Sequence, residues 1–180
     1  MLPVAMLLMA LTLARQTDTT HLLAQAERDL TGDGKPEILR VLGVGPSIDD
    51  LSVTFTIESA GKVIYRHDLR RVARPANSDG VPPAYYRASI KEYFFIDKHF
   101  MRPQEYLEFL RVHARLHIDE IPDVIESDRA PSDPVPGAVI WDEIQQAGVT
   151  IFTFSPGGDI IEAIGWNARA NRFYRLLSCC

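Results

Sequence analysis

Residues 29–37, with the sequence DLTGDGKPE, carry oxygen-bearing side chains at short, regular intervals. Counted from the first residue, these side chains occupy positions 1, 3, 5 and 9, as Asp29, Thr31, Asp33 and Glu37. Alternate positions of a tight loop direct their oxygens inward, and the glycine at position 6 permits a sharp turn. A hard divalent cation such as Ca²⁺ takes about six to eight oxygen ligands. The spacing therefore predicts a cation site, to which the Lys35 carbonyl at position 7 adds an oxygen.

This loop resembles the calcium loops of FG-GAP and VCBS β-propeller repeats and, more distantly, those of dockerins and EF-hands. The resemblance covers residues 29–37 only, and a single copy is too little to build a propeller. Thr31 stands where Asn or Asp is usual, Glu37 stands where Asp is usual, and Arg40 occupies position 12, where an EF-hand has Glu. Predicted strands flank the loop, as in the propeller type. The resemblance implies a structural calcium ion bound by the side chains of Asp29, Thr31, Asp33 and Glu37, beside the Lys35 carbonyl.

The same residues also fit a simpler interpretation. The run Thr-Gly-Asp-Gly is typical of an ordinary β-turn, which needs no ion. The loop is therefore expected either to bind calcium or to serve as a turn alone. In an extracellular compartment calcium is abundant, so even a weak site, with a Kd of about 10⁻⁴–10⁻³ M, would fill.

Two histidines, His113 and His117, lie four residues apart in a segment with helical periodicity. Zinc ligands often have this spacing, and in metallopeptidases a glutamate follows the first histidine as general base. Ala114 occupies that position here, so the general base is missing. Both histidines are predicted at the centre of an apolar helix face, which favours core residues over metal ligands. We assign no catalytic residue from the sequence.

Aromatic side chains are concentrated in residues 85–109. Such a concentration is typical of core packing, and its alternative is a groove for a peptide, glycan or lipid. A cleft formed by residues 85–118 is also the basis of an alternative function, a secreted hydrolase. The exposure of these rings decides between core and groove.

Hydrophobic patterning predicts β-structure on both sides of a helical middle. Strict alternation over residues 52–59 places Val53, Phe55 and Ile57 on one face, and Ala60-Gly61 forms a hairpin turn into residues 62–67. Further strands are predicted over 19–28, 37–44, 149–154, 159–166 and 172–177, and helices over 85–100, 103–118 and 138–147. The order predicts an α+β fold with an antiparallel sheet from N-terminal hairpins and a C-terminal three-stranded meander, in which the two β blocks could join.

Residues 1–14 are predicted to be a signal peptide. They contain no charged side chain, and Thr12 and Ala14 supply small residues before a cleavage site. No basic residue precedes the apolar run, which leaves a buried N-terminal helix or strand as the alternative. On the first interpretation the mature chain begins near Arg15, and residues 15–180 form a single α+β domain.

Charge and composition exclude several classes of function. The formal net charge of −5 argues against a nucleic-acid partner, which needs an excess of Lys and Arg. No apolar run reaches the roughly 18 residues of a transmembrane helix. The two cysteines, Cys179 and Cys180, are adjacent and cannot form a disulfide framework. In a secreted protein we expect them oxidised, paired with each other or with another chain.

These features favour a secreted or periplasmic, non-enzymatic domain with one structural calcium loop and a protein or cell-envelope glycan as its partner. The secreted hydrolase is the alternative, and an assembly component linked through its terminal cysteines is a third interpretation. The layout, with strands around one Asp-Gly loop, a helical middle and a C-terminal meander, resembles bacterial secreted proteins of uncharacterised function. That resemblance implies no activity.

Overall fold

A computed structural model of the chain describes residues 19–47, 50–69, 90, 94–113, 135–157 and 160–176. In the first part the strands are β1 (Thr19–Arg28), β2 (Glu37–Ser47), β3 (Asp50–Ser59) and β4 (Lys62–Leu69). A 3₁₀ turn at Asp97–His99 leads into the short strand β5 (Phe100–Met101) and helix α1 (Pro103–His113). Helix α2 (Gly137–Ala147) precedes β6 (Ile151–Gly157), β7 (Ile160–Asn167) and β8 (Arg172–Leu176).

The strands form two antiparallel sheets of four strands each. The first sheet has the order β1-β2-β3-β4, and the second has the order β5-β6-β7-β8. The predicted α+β class is therefore confirmed, although the described part of the chain is mostly strand. Within the described ranges the two β blocks form separate sheets, and β5 from the middle of the chain extends the C-terminal meander.

The hairpin turn between β3 and β4 is where the sequence placed it. Ala60 and Gly61 both adopt positive φ angles, of 48° and 75°. A two-residue turn with both φ angles positive matches the right-handed twist of the flanking strands. The turn pairs Ser59 with Lys62, and an irregularity in the ladder after Glu58 shifts the register so that Ile57 lies opposite Tyr65.

The two sheets pack face to face around an aromatic core. The alternating residues Val53, Phe55 and Ile57 of β3 are buried, as predicted. The ring of Phe55 lies 5.4 Å from that of Phe152 and 5.3 Å from that of Phe154, both on the second sheet. The opposite face of β3 is less exposed than the alternation suggested, because cross-strand arginines flank the buried Thr56 on both sides.

The helices cover the other face of the second sheet. Ile144 of α2 is buried against Gly165 of β7, where an added Cβ would come within 3.2 Å of the Ile144 side chain. The Tyr106 ring of α1 lies 6.2 Å from the Trp141 ring of α2. The second sheet is thus the middle layer of three, between the first sheet and the helices.

The helix predictions are confirmed in part. Helix α2 ends at Gly148, which has a φ of 62° and donates its N–H to the Gln145 carbonyl, as expected of a glycine stop. The helix predicted over 103–118 is present through His113, and residues 114–118 lie outside the described part of the chain. The helix predicted over 85–100 is wrong at its end, where residues 97–100 lie in the 3₁₀ turn and β5 instead, and residues 85–89 and 91–93 lie outside the described part of the chain.

Candidate functional site

The Asp-Gly loop, residues 29–37, connects β1 to β2 at one end of the first sheet. Its second residue, Leu30, is completely buried, so the loop is anchored in the core. Gly32 and Gly34 adopt left-handed φ angles of 77° and 81°, which favour glycine at both turns. A Cβ on Gly32 would lie 3.2 Å from the Val149 side chain, so this end of the loop is packed closely against the chain between α2 and β6.

Glu37 is the buried centre of the loop. It is completely inaccessible, and it begins the row of core-facing residues that Leu39 and Val41 continue along β2. Its Oε2 accepts hydrogen bonds from the backbone N–H groups of Leu30 at 2.7 Å and Thr31 at 3.2 Å. Its Oε1 accepts from the hydroxyl groups of Thr31 at 3.0 Å and Ser59 at 3.3 Å. A carboxylate offers about four acceptor positions, and these four donors fill them.

The two aspartates of the loop shape its turns, and Asp29 is half-buried. Asp29 accepts the N–H of Gly32 on Oδ1 at 2.7 Å and that of Gly34 on Oδ2 at 3.0 Å. Asp33 is exposed and accepts the N–H of Lys35 on Oδ1 at 2.8 Å. Two acceptor positions on Asp29 and three on Asp33 are not used by these bonds. These two carboxylates are therefore the loop's accessible oxygen ligands.

Arg28 lies beside the loop and links the first sheet to β5. Its guanidinium group pairs with Asp97 at 2.8 Å and lies 4.9 Å from the centre of the Phe100 ring. A guanidinium over an aromatic face is attracted to the ring, by about 0.5–1 kcal/mol at an exposed site. This contact places the end of β1 against the 3₁₀ turn and β5.

A groove lies on the far side of β5, between this strand and α1. Its floor is formed by half-buried apolar side chains, and its volume is about 470 Å³. The aromatic segment is divided between core and groove: Phe94, Phe95 and Tyr106 are buried, whereas Phe100 and Phe109 line the groove. The remaining lining residues are Asp97, Lys98, Met101, Glu105, Glu108, Val112 and His113.

His113 lies at the rim of this groove, and its predicted place at the centre of a buried helix face is wrong. It is exposed at the end of the described part of α1, with its ring 4.6 Å from that of Phe109 one turn earlier. His117 lies outside the described residues. Across the described ranges, no three His, Cys, Asp or Glu side chains converge as a metal-ligand set.

No protein-family model, no curated protein and no solved structure matches this chain. None of the helices in the described ranges is both long and apolar enough to cross a membrane. Cys179 and Cys180 also lie outside these ranges, as do the predicted signal peptide and its cleavage site.

A polar cluster that the sequence did not predict lies between the two sheets. Glu162 of β7 lies 3.8 Å from the Nε2 atom of His67 on β4 and 3.5 Å from a guanidinium nitrogen of Arg175 on β8. All three side chains are mostly buried. Their positions are far apart in the sequence, so only the packing of the two sheets brings them together.

The donor set of the loop fits calcium in part. Asp33 and Lys35 are exposed and Asp29 is half-buried, so oxygens of the kind that a hard cation prefers lie on a turn that solvent reaches. Glu37 differs, because a cation bound by its carboxylate would have to replace at least one of its four hydrogen-bond donors. The Thr31 hydroxyl group donates to Glu37 and retains its lone pairs. Calcium binding stays a prediction, with Asp29 and Asp33 as its main carboxylates.

Proposed function

We propose that this protein is a secreted or periplasmic, non-enzymatic binding domain in which calcium stabilises the Asp-Gly loop. The observation that carries the proposal is the pair Asp29 and Asp33, two carboxylates on one glycine-containing turn that retain free acceptor positions. Both are negative, so a bound divalent cation would remove their mutual repulsion. The partner is a protein or a cell-envelope glycan.

The proposed role of calcium is structural. The loop closes one end of the first sheet, and Leu30 and Glu37 fix it to the core. An ion that binds only the folded loop stabilises the protein by about 2.7 kcal/mol at 100 times its Kd. For a chain of this size, each kcal/mol corresponds to roughly 2–4 °C in Tm.

The calcium part is tested by melting the protein in EGTA and in millimolar calcium, with calcium and magnesium titrations by calorimetry. We expect a Tm several degrees higher in calcium and a weak response to magnesium, which requires a tighter octahedron. The double variant Asp29→Asn, Asp33→Asn should lose this increment. Asp142→Asn, an exposed aspartate on α2, is the matched control and should retain it. An identical Tm in EGTA and calcium, with no heat of binding, would show that the loop is only a turn.

The export part is tested by mass spectrometry of the protein from its native host. A mature N-terminus near Arg15 is expected in envelope or culture-medium fractions, and an intact Met1 in exported protein would contradict cleavage. The binding part is tested by incubating the immobilised full chain with envelope fractions, before and after protease treatment. A partner that protease destroys is a protein, and one that survives is a glycan. Retention of neither would contradict a binding function.

A further inference from the structure

We propose that the groove between β5 and α1 binds a short peptide segment of a partner protein, in which a bulky apolar side chain lies next to Lys or Arg. This inference rests on the proposed binding function and specifies the chemistry of its partner. It is carried by the floor of the groove, the charges on its walls and its size.

The floor of the groove is apolar and partly open to solvent. Phe100 and Met101 of β5 and Phe109 of α1 are half-buried, and Val112 next to them is 64% exposed. Phe109 and Val112 are three residues apart and so share one face of the helix. Methionine adapts its shape to different partners and is frequent on binding surfaces. An apolar side chain inserted here would cover hydrophobic surface that the described chain leaves exposed.

The wall formed by α1 is acidic. Glu105 and Glu108 are exposed on consecutive turns of the helix, and both line the groove. Glu108 pairs with the half-buried Arg111 at 3.6 Å, but Glu108 itself is exposed and an i,i+3 pair at the surface contributes little. The 3₁₀ turn on the other side contributes Lys98 and Asp97, and Asp97 is already paired with Arg28, so the acidic character of the groove comes from the α1 wall. Lys or Arg beside the apolar anchor would complement this wall.

The composition of the floor favours a peptide over a glycan. The floor consists of two phenylalanine rings, Met101 and Val112, none of which has a polar group that could orient a sugar, and the polar side chains lie on the walls and rim. A volume of about 470 Å³ lies within the range of about 300–1,000 Å³ typical of ligand pockets. The groove is shallow and open to solvent, so it suits an extended segment that lies across it with a few side chains on its floor.

The test uses two fluorescein-labelled decapeptides with the same central Leu and Phe, one flanked by lysines and the other by glutamates. Fluorescence polarisation with the full chain should show at least tenfold tighter binding of the lysine peptide at low salt. Val112→Gln should weaken that binding at least fivefold, and Val139→Gln, at another exposed valine on α2, is the control. Glu108→Lys should remove the preference for lysine. Glu105 is left unchanged, because it accepts the N–H of Arg102 at the start of α1.

Several outcomes would overturn the proposal. These are no binding of the lysine peptide at millimolar concentration, equal binding of both peptides, or unchanged binding by the Val112 variant. If sedimentation shows that the wild type is a dimer and that Val112→Gln is a monomer, the groove binds a second copy of the chain instead. The two proposals can fail separately. If wild type and Val112→Gln retain the same envelope partner equally, and the Tm depends on calcium, the proposed function stands and only the peptide site is contradicted.

Discussion

The Glu37 carboxylate accepts a 2.7 Å hydrogen bond from the backbone N–H of Leu30, seven residues earlier, and both residues are completely buried. This bond closes the Asp-Gly loop from the inside. A buried carboxylate is costly unless its oxygens are satisfied, and the donors of Thr31 and Ser59 complete the set. Glu37 therefore determines the conformation in which Asp29 and Asp33 face solvent.

Glu37→Gln is expected to destabilise the protein by about 1–3 kcal/mol. The NH₂ group of glutamine would face hydrogen-bond donors in place of a carboxylate oxygen that accepts from them. Glu37→Ala is expected to cost about 2–6 kcal/mol, since the buried N–H of Leu30 and the part-buried N–H of Thr31 both lose their acceptor. Urea unfolding in EGTA measures both effects without any contribution from calcium. Glu27→Gln, at an exposed position on β1, is the control and should stay within about 0.5 kcal/mol of wild type. Equal stability of the Glu37 and Glu27 variants would contradict this role.

Two glycines of the loop provide a matched comparison. Gly34→Ala introduces a side chain at a φ of 81° with nothing within 4 Å, so its cost is backbone strain alone, about 1–2 kcal/mol. Gly32→Ala adds a contact of 3.2 Å with Val149 to similar strain, and it should be the more destabilising variant. Val149→Ala in the Gly32→Ala background should recover part of that difference. Denaturant unfolding measures all three, and a Gly34 variant as unstable as the Gly32 variant would show that the Val149 contact is unimportant.

Local patterning predicts the strands well because each has a clear periodicity or a short apolar run between turn residues. The alternation of Val53, Phe55 and Ile57 identifies the core face of β3, and Ala60-Gly61 specifies the hairpin. The same period, followed backwards from Val41 and Leu39, reaches Glu37. The alternation along β2 is therefore the sequence feature that indicates that Glu37 faces the core.

The pairing of sheets is not encoded in such local signals. Phe152 and Phe154 face the first sheet, yet Ile151 and Thr153, which alternate with them along β6, are also buried. A strand buried on both faces reads as a continuous apolar run and does not indicate which layer lies on either side. The sequence therefore left open whether the β blocks join. It could not indicate the groove at Val112 either, because that site depends on how α1 folds back beside β5.

The contact between α2 and the second sheet gives a further prediction. Gly165→Ala would place a Cβ 3.2 Å from two carbons of Ile144 and 3.4 Å from Leu176, at a position where the backbone itself is unstrained. Overpacking of this kind typically costs about 1–3 kcal/mol. Ile144→Val alone should cost about 0.5–1.5 kcal/mol, and the double variant should be less destabilised than the sum of the two. Strict additivity in denaturant unfolding would show that these two positions do not contact each other.

The last prediction concerns the dependence of stability on pH through His99. Burial lowers the pKa of His99 below its ordinary value of 6.5. A hydrogen bond with the Phe94 carbonyl opposes this shift, and the positive charge of Lys98 lowers the pKa by a smaller amount. The folded protein therefore binds this proton less readily than the unfolded chain does. The associated stability is fully present above pH 6.5 and is lost as the pH falls through 6.5 towards the folded pKa.

Urea unfolding at pH 7.5 and pH 5.5 should therefore show a larger loss of stability in wild type than in His99→Gln. Lys98→Gln should reduce the loss only slightly, because burial is the main cause of the shift. A direct NMR titration of the His99 ring should give a pKa below 6.5. A value at or above 6.5, or the same loss of stability in wild type and His99→Gln, would contradict the assignment. If Lys98→Gln abolishes the loss of stability at pH 5.5, the lysine rather than burial is the cause of the shift.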